Sequence, residues 1–163
     1  MRPPSRPLAI ATGIALIVLP LLAWALKLMS IGWMVVIILM GPIVLLLAGY
    51  AVQIVIASQG FFSKRELFGP AGARATIAAW TTSIGAVLLG VFMPDGGDSD
   101  YGSTLQVWLG AYGERSEAVH AATDGLTGVL ALVAAVAWLG GFVWLAIEWI
   151  AGLARRSRAK RSA

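Results

Sequence analysis

Residues 8–57 read LAIATGIALIVLPLLAWALKLMSIGWMVVIILMGPIVLLLAGYAVQIVIA, and they decide the fold. These 50 residues carry a single charge, Lys27. One helix of that length would reach ~75 Å, far beyond a hydrocarbon core of ~30 Å. The segment must therefore fold back once. The best break is Lys27-Leu28-Met29-Ser30, where a charge and a polar residue coincide. That gives a first span at 8–26 and a second at 31–57. A break at Gly41-Pro42 would leave pieces too short for two full crossings, so this pair reads as a kink, as does Pro20.

Further along the chain, a third span covers 75–93, closed by Pro94 and the glycine-aspartate cluster behind it. A fourth covers 126–150, with Thr123 or Asp124 as its N-cap and arginines after its end. The composition agrees. Of 163 residues, 59% are apolar and 12% charged, whereas soluble domains carry about 25% charged residues. A soluble particle this small could not hide so much apolar surface. The expectation is an all-α polytopic membrane protein, one four-helix transmembrane domain over 1–163. Arg2, Arg6 and Ala23-Trp24-Ala25 resemble a signal peptide, but the first apolar stretch exceeds the usual ~7–15 residues. It reads as an uncleaved span.

Charge sets the orientation. Ten of the twelve basic residues fall on one side: Arg2 and Arg6, Lys64, Arg65 and Arg74 between spans two and three, and Arg155, Arg156, Arg158, Lys160 and Arg161 in the tail at 151–163. Lys27 and Arg115 fall on the other, with Asp95, Asp98, Asp100, Glu114, Glu117 and Asp124. The positive-inside rule puts both termini in the cytoplasm. Trp24 and Trp33 at one boundary, and Phe61, Phe62 and Trp149 at the other, match interfacial aromatic belts. The tail arginines, with Lys160, are expected to attract anionic lipid headgroups at about 1 kcal/mol per charge. Basic residues flanking apolar spans do not point to nucleic acid. With no cysteine, disulfides and thiolate metal sites are excluded.

Lipid gives helices no hydrophobic reason to associate, so small residues that allow close approach matter. Ala86 and Gly90 are four apart on span three, and Ala137 and Gly141 on span four. These pairs predict that the two spans pack along those faces. Thr81, Thr82, Ser83 and Thr127 can add interhelical hydrogen bonds.

Midplane charge, the mark of pumps and ion paths, is missing from every span. Glu148 comes closest, near the basic boundary, where it can pair with Lys64, Arg65, Arg74 or Arg155. Gln53 lies at a similar depth and could bond to it. The loop at 94–125 is too long for a plain connection and should hold structure of its own. Leu105, Trp108, Leu109 and Tyr112 recur at helical spacing, which predicts a short surface helix ended by Gly113, with a second helical stretch from Ser116 into span four. Asp95 and Asp98 are hard-cation ligands in type. Glu117, His120 and Asp124 share a helix face. A divalent metal held by His120, Asp124, Asp95 and Asp98 is one expectation, and proton transfer by His120 oriented by Asp124 is another. No phosphate loop, nucleophile elbow or dinucleotide fingerprint occurs, and one histidine cannot ligate a haem alone. No cofactor is expected.

The basic inner loop, the span running into Phe92-Met93-Pro94-Asp95-Gly96-Gly97-Asp98, and the short outer segment before the last span resemble small four-span membrane proteins of high-GC Gram-positive bacteria. That resemblance implies a fold and no activity. Three functions stay open: a non-enzymatic accessory subunit packed on another membrane protein; a homo-oligomeric transporter or channel lined by Thr81, Ser83 and Gln53; and a surface enzyme using His120 and the aspartates.

Overall fold

The computed structural model describes residues 4–30, 32–63, 67–97 and 101–161. Arg2, Lys64, Arg65, Asp98 and Asp100 lie outside the described residues, as does the Lys160 side chain. Helix α1 is Arg6–Lys27, α2 is Trp33–Met40 and α3 is Ile43–Ile56. Helix α4 is Gly72–Phe92, α5 is Thr104–Trp108 and α6 is Ser116–Arg161. Between α4 and α5 lies a minimal antiparallel hairpin, β1 Asp95–Gly96 against β2 Tyr101–Gly102. The fold is all-α in substance. Among the described residues, four helical stretches are long and apolar enough to cross a membrane: Arg6–Ser30, Ile43–Phe62, Gly69–Phe92 and Gly113–Ala159.

Helix α4 is the centre of the bundle, packed most extensively on α6 and next on α1. Glycines set both contacts. A Cβ on Gly85 would stand 2.5 Å from the Trp138 backbone nitrogen, and one on Gly141 would stand 2.6 Å from that of Thr82. The Thr82 hydroxyl donates to the Trp138 carbonyl at 2.6 Å. On the other side, a Cβ on Gly90 would meet the Ala23 carbonyl of α1 at 2.5 Å. Gly90 therefore belongs to the α1–α4 seam and not to the α4–α6 seam expected for it. Ala86 is buried and Ala137 only half-buried. Gly85, one position before Ala86, makes the close approach to α6 instead.

The interior is small and the exterior large. Ala75, Ala78, Ala79 and Ala134 are almost wholly buried, whereas Leu132, Val136, Leu139 and Ile147 of α6 are more than half exposed. Water would penalise such a surface at ~25 cal/mol per Å². Hydrocarbon would not, and there close backbone contact becomes the stabilising term. Larger side chains collect towards the basic end, where the rings of Phe61 and Phe68 meet at a 44° tilt with centroids 5.1 Å apart, in one cluster with Leu16, Ile56 and Leu145.

The second span departs most from expectation. Gly41-Pro42 is a full break and not a kink. Pro42 has no N–H, so the Ile38 carbonyl loses its i+4 donor and takes a long 3.4 Å bond from Gly41. Gly41, at φ −163° and ψ −60°, leaves the helix. Pro42 then opens α3, its carbonyl accepting from Leu45 and Leu46 at 3.0 and 3.1 Å. By contrast, α1 remains one helix through Pro20. The second span also outlasts its expected end at Ala57, continuing as a wide π-helical turn over Ala57–Phe62. Helix α6 runs unbroken for 46 residues, ~69 Å. Thr123 and Asp124 thus sit inside it and cap nothing.

Candidate functional site

Polar side chains gather at the two ends of the bundle. At the acidic end, α2 starts from Gly32, which has no side chain to cap the exposed amides. A carboxylate from 63 residues downstream of Gly32 does so. Asp95 Oδ2 accepts from the Gly32 and Val35 amides at 3.1 and 3.2 Å. Its Oδ1 accepts from Met34 at 2.8 Å and from Gly96 at 2.9 Å. An anion on these first-turn amides also meets the positive end of the helix dipole. Lys27 Nζ completes the cluster, 3.6 Å from Asp95 Oδ2, and donates to the Met93 carbonyl at 3.0 Å and Ser30 Oγ at 3.3 Å. Both side chains are buried, 11% and 1% exposed.

Next to it, α5 is set by a capping box. The Gln106 amide donates to Ser103 Oγ at 3.3 Å, and Gln106 Oε1 accepts from the Ser103 amide at 2.7 Å. Thr104 is fully buried and pins the ends of two helices together, its hydroxyl lying 2.8 Å from the Leu26 carbonyl and 3.1 Å from that of Gly90. Its oxygen also lies 3.1 Å from Ser30 Oγ. Gln106, also fully buried, reaches α6. Its Nε2 donates to Asp124 Oδ1 at 2.7 Å and to Thr123 Oγ1 at 3.0 Å, and lies 3.2 Å from His120 Nδ1. His120 Nδ1 is 2.8 Å from Asp124 Oδ1. Since a carboxylate only accepts, Nδ1 carries the hydrogen that this contact needs. The Thr123 hydroxyl donates to Val119 at 2.6 Å, so its oxygen is free to accept from Gln106.

The expected short helix forms here as Thr104–Trp108, and it ends sooner than Gly113. Helix α5 turns Thr104 and Gln106 inward, and around its end Trp108, Leu109 and Tyr112 are exposed. Its interior partners are helix ends and a polar network, which demand hydrogen bonds and not apolar contact. The turn at Gly110 (φ +84°) ends it before Gly113 (φ +60°). The sequence reading missed Ser103, Thr104 and Gln106. The Ser103-x-x-Gln106 spacing is itself a helix-start signature and could have found the first and last.

The expected metal ligands are divided. His120 and Asp124 meet on α6, whereas Asp95 spends its oxygens on four backbone amides beside Lys27, and Asp98 lies outside the described residues. Among the described residues no three His, Cys, Asp or Glu side chains stand close enough to share an ion. Glu117 is exposed. What His120 and Asp124 offer chemically is an imidazole oriented by a carboxylate, the arrangement used for proton transfer.

At the basic end, Glu148 takes Arg74 from its candidate partners, with Nε to Oε1 at 2.9 Å and Nη2 to Oε2 at 3.4 Å. Gln53 is buried, and its Oε1 has no hydrogen-bond partner among the described residues; neither has Ser83 Oγ. Arg6 donates to three carbonyls at the end of the π turn, Phe62 at 2.7 Å, Phe61 at 3.2 Å and Ser63 at 3.3 Å. Arg155 reaches the Phe68 carbonyl at 3.4 Å. Arg155 and Arg158 are exposed, as is Arg161, and Arg156 is half-buried. No protein-family model, curated protein or solved structure matches the chain.

Proposed function

We propose that the protein is a non-enzymatic accessory subunit of the bacterial plasma membrane, with both termini cytoplasmic, that packs against another membrane protein. The observation that carries this reading is the open break at Gly41-Pro42. Both residues are exposed, and no atom lies within 4 Å of a Cβ position on Gly41. Around them Met40, Val44 and Leu45 are 83%, 68% and 75% exposed. Only 17% of the apolar window in Ile43–Phe62 is buried, against 50% for Gly69–Phe92. Irregular backbone at membrane depth is tolerated where protein or water covers it, because an unsatisfied peptide group in hydrocarbon costs several kcal/mol. A neighbouring membrane protein would supply that cover. Anionic lipid at the tail arginines fits the same orientation.

A photo-crosslinking residue at Met40, used in native membranes and read by mass spectrometry, tests the proposal. A discrete adduct with a second membrane protein is expected. Adducts with lipid alone, together with purification as a lone monomer, would overturn it. A homo-oligomeric transporter is the second reading, favoured by the unpartnered Gln53 Oε1 and Ser83 Oγ. Self-adducts at Met40 and solute flux in liposomes would move the assignment there.

A further inference from the structure

We propose that a cleft at the basic end of the bundle is a binding site for a phosphate anion. The cleft measures about 330 Å³ and is lined by Pro70, Ala71, Arg74 and Arg155. It lies against the first turn of α4. That helix starts with no side-chain cap and no acidic residue in its first turn, and its N-cap residue Ala71 and first-turn Arg74 line the hollow, so the positive end of a 21-residue helix borders it.

Two guanidinium groups flank it with donors to spare. Arg74 commits Nε and Nη2 to Glu148, and Arg155 commits Nη2 to the Phe68 carbonyl. With five N–H donors each, both keep groups to present to a tetrahedral oxyanion. Among the described residues the carboxylate at this cleft is Glu148, which Arg74 already neutralises, and Arg155 adds a positive charge to the lining. The depth is also right for a lipid phosphate. Trp149 Nε1 bonds Gln59 Oε1 at 3.1 Å on the same end of the bundle, as aromatic residues do at headgroup level. The ligand class is therefore a phosphate mono- or diester, which an anionic phospholipid headgroup or a soluble phosphate could supply. The site does not depend on a partner covering Gly41-Pro42.

The full chain, purified in non-ionic detergent, is tested by native mass spectrometry against phosphatidylglycerol and phosphatidylcholine of equal chain length. In parallel, thermal unfolding is followed with inorganic phosphate. Unmodified protein should retain phosphatidylglycerol about fivefold or more over phosphatidylcholine, the preference one arginine near a headgroup supplies. Arg155→Gln should cut that preference severalfold. So should Arg74→Gln combined with Glu148→Gln, which leaves no buried charge unpaired. The triple variant R156Q/R158Q/R161Q, which leaves the cleft lining intact, should lower it less than Arg155→Gln alone does. Stabilisation by inorganic phosphate, lost in the first two variants and without lipid preference, would assign the same site to a soluble phosphate. Equal retention of both lipids with no phosphate effect overturns the proposal, and so does a preference that only the triple variant loses.

Discussion

Asp95 and Arg6 close opposite ends of the same interrupted helical segment: the carboxylate accepts from three amides at the start of α2, and the guanidinium donates to three carbonyls at the end of the π turn after α3. Neither belongs to the segment it caps. The least buried span is thus tied to the bundle by charge-assisted hydrogen bonds at its ends and by Ile56 and Phe61 in the core near its basic end, while the rest of its apolar surface stays open. The arrangement suits an element that must stay in place while presenting its sides to something else.

Asp95→Asn should be the most damaging change at the acidic end. It removes the anion from the helix start and leaves the buried Lys27 ammonium without a counter-charge. A loss of about 2–4 kcal/mol is expected. Lys27→Met should cost less, because Asp95 keeps its amide donors. Thermal unfolding in detergent, followed by tryptophan fluorescence, gives the order; a larger effect of Lys27→Met would reverse the assignment.

Arg6→Gln should fray the π turn without disturbing the bundle centre. Three carbonyls lose a charged donor at a helix C-terminus, worth about 1–2 kcal/mol. Amide hydrogen exchange over 57–63 should quicken while α4 keeps its protection. Arg6→Lys should rescue only in part, since a single ammonium cannot reproduce the guanidinium fork.

The spans were legible in the sequence because hydropathy is a local signal. The turn at Lys27–Ser30 was too, since polar residues interrupt the apolar run there. Nothing local announces Asp95 as a helix cap: it lies 61 residues from Met34, and beside Asp98 and Asp100 it looks like a cation ligand. A hint did exist in Gly32, a helix start with no capping side chain of its own, which needs an acceptor from elsewhere. Gly41-Pro42 was misjudged for a different reason. Proline alone removes one hydrogen bond, as at Pro20, and the helix survives. Glycine next to it removes the helical preference of the preceding residue as well, and the two losses together end the helix.

Helix seams should separate by mutation. Gly85→Leu and Gly141→Leu both wedge α4 from α6, so their effects should be sub-additive, each costing about 2–4 kcal/mol. Gly90→Leu wedges α4 from α1 and should add independently. Gly128→Leu and Gly140→Leu place side chains where no atom lies within 4 Å, and unfolding should be nearly unchanged. Equal damage at Gly140 and Gly141 would mean that this face of α6 is wrongly assigned.

Pro42→Ala separates stability from assembly. Alanine restores the N–H that the Ile38 carbonyl lacks and favours one continuous helix from Trp33 onward. Helix propensity alone favours the change by up to ~3 kcal/mol in a helix interior. The isolated protein in detergent should therefore unfold at an equal or higher temperature. If a partner recognises the break, the straightened helix no longer fits it, and the Met40 crosslink in native membranes should fall sharply while expression stays constant. Such opposed outcomes are what a strained functional feature gives when relieved. An intact crosslink with raised stability would show that the break contributes nothing to assembly, and would leave α2 held at its angle by Asp95 alone.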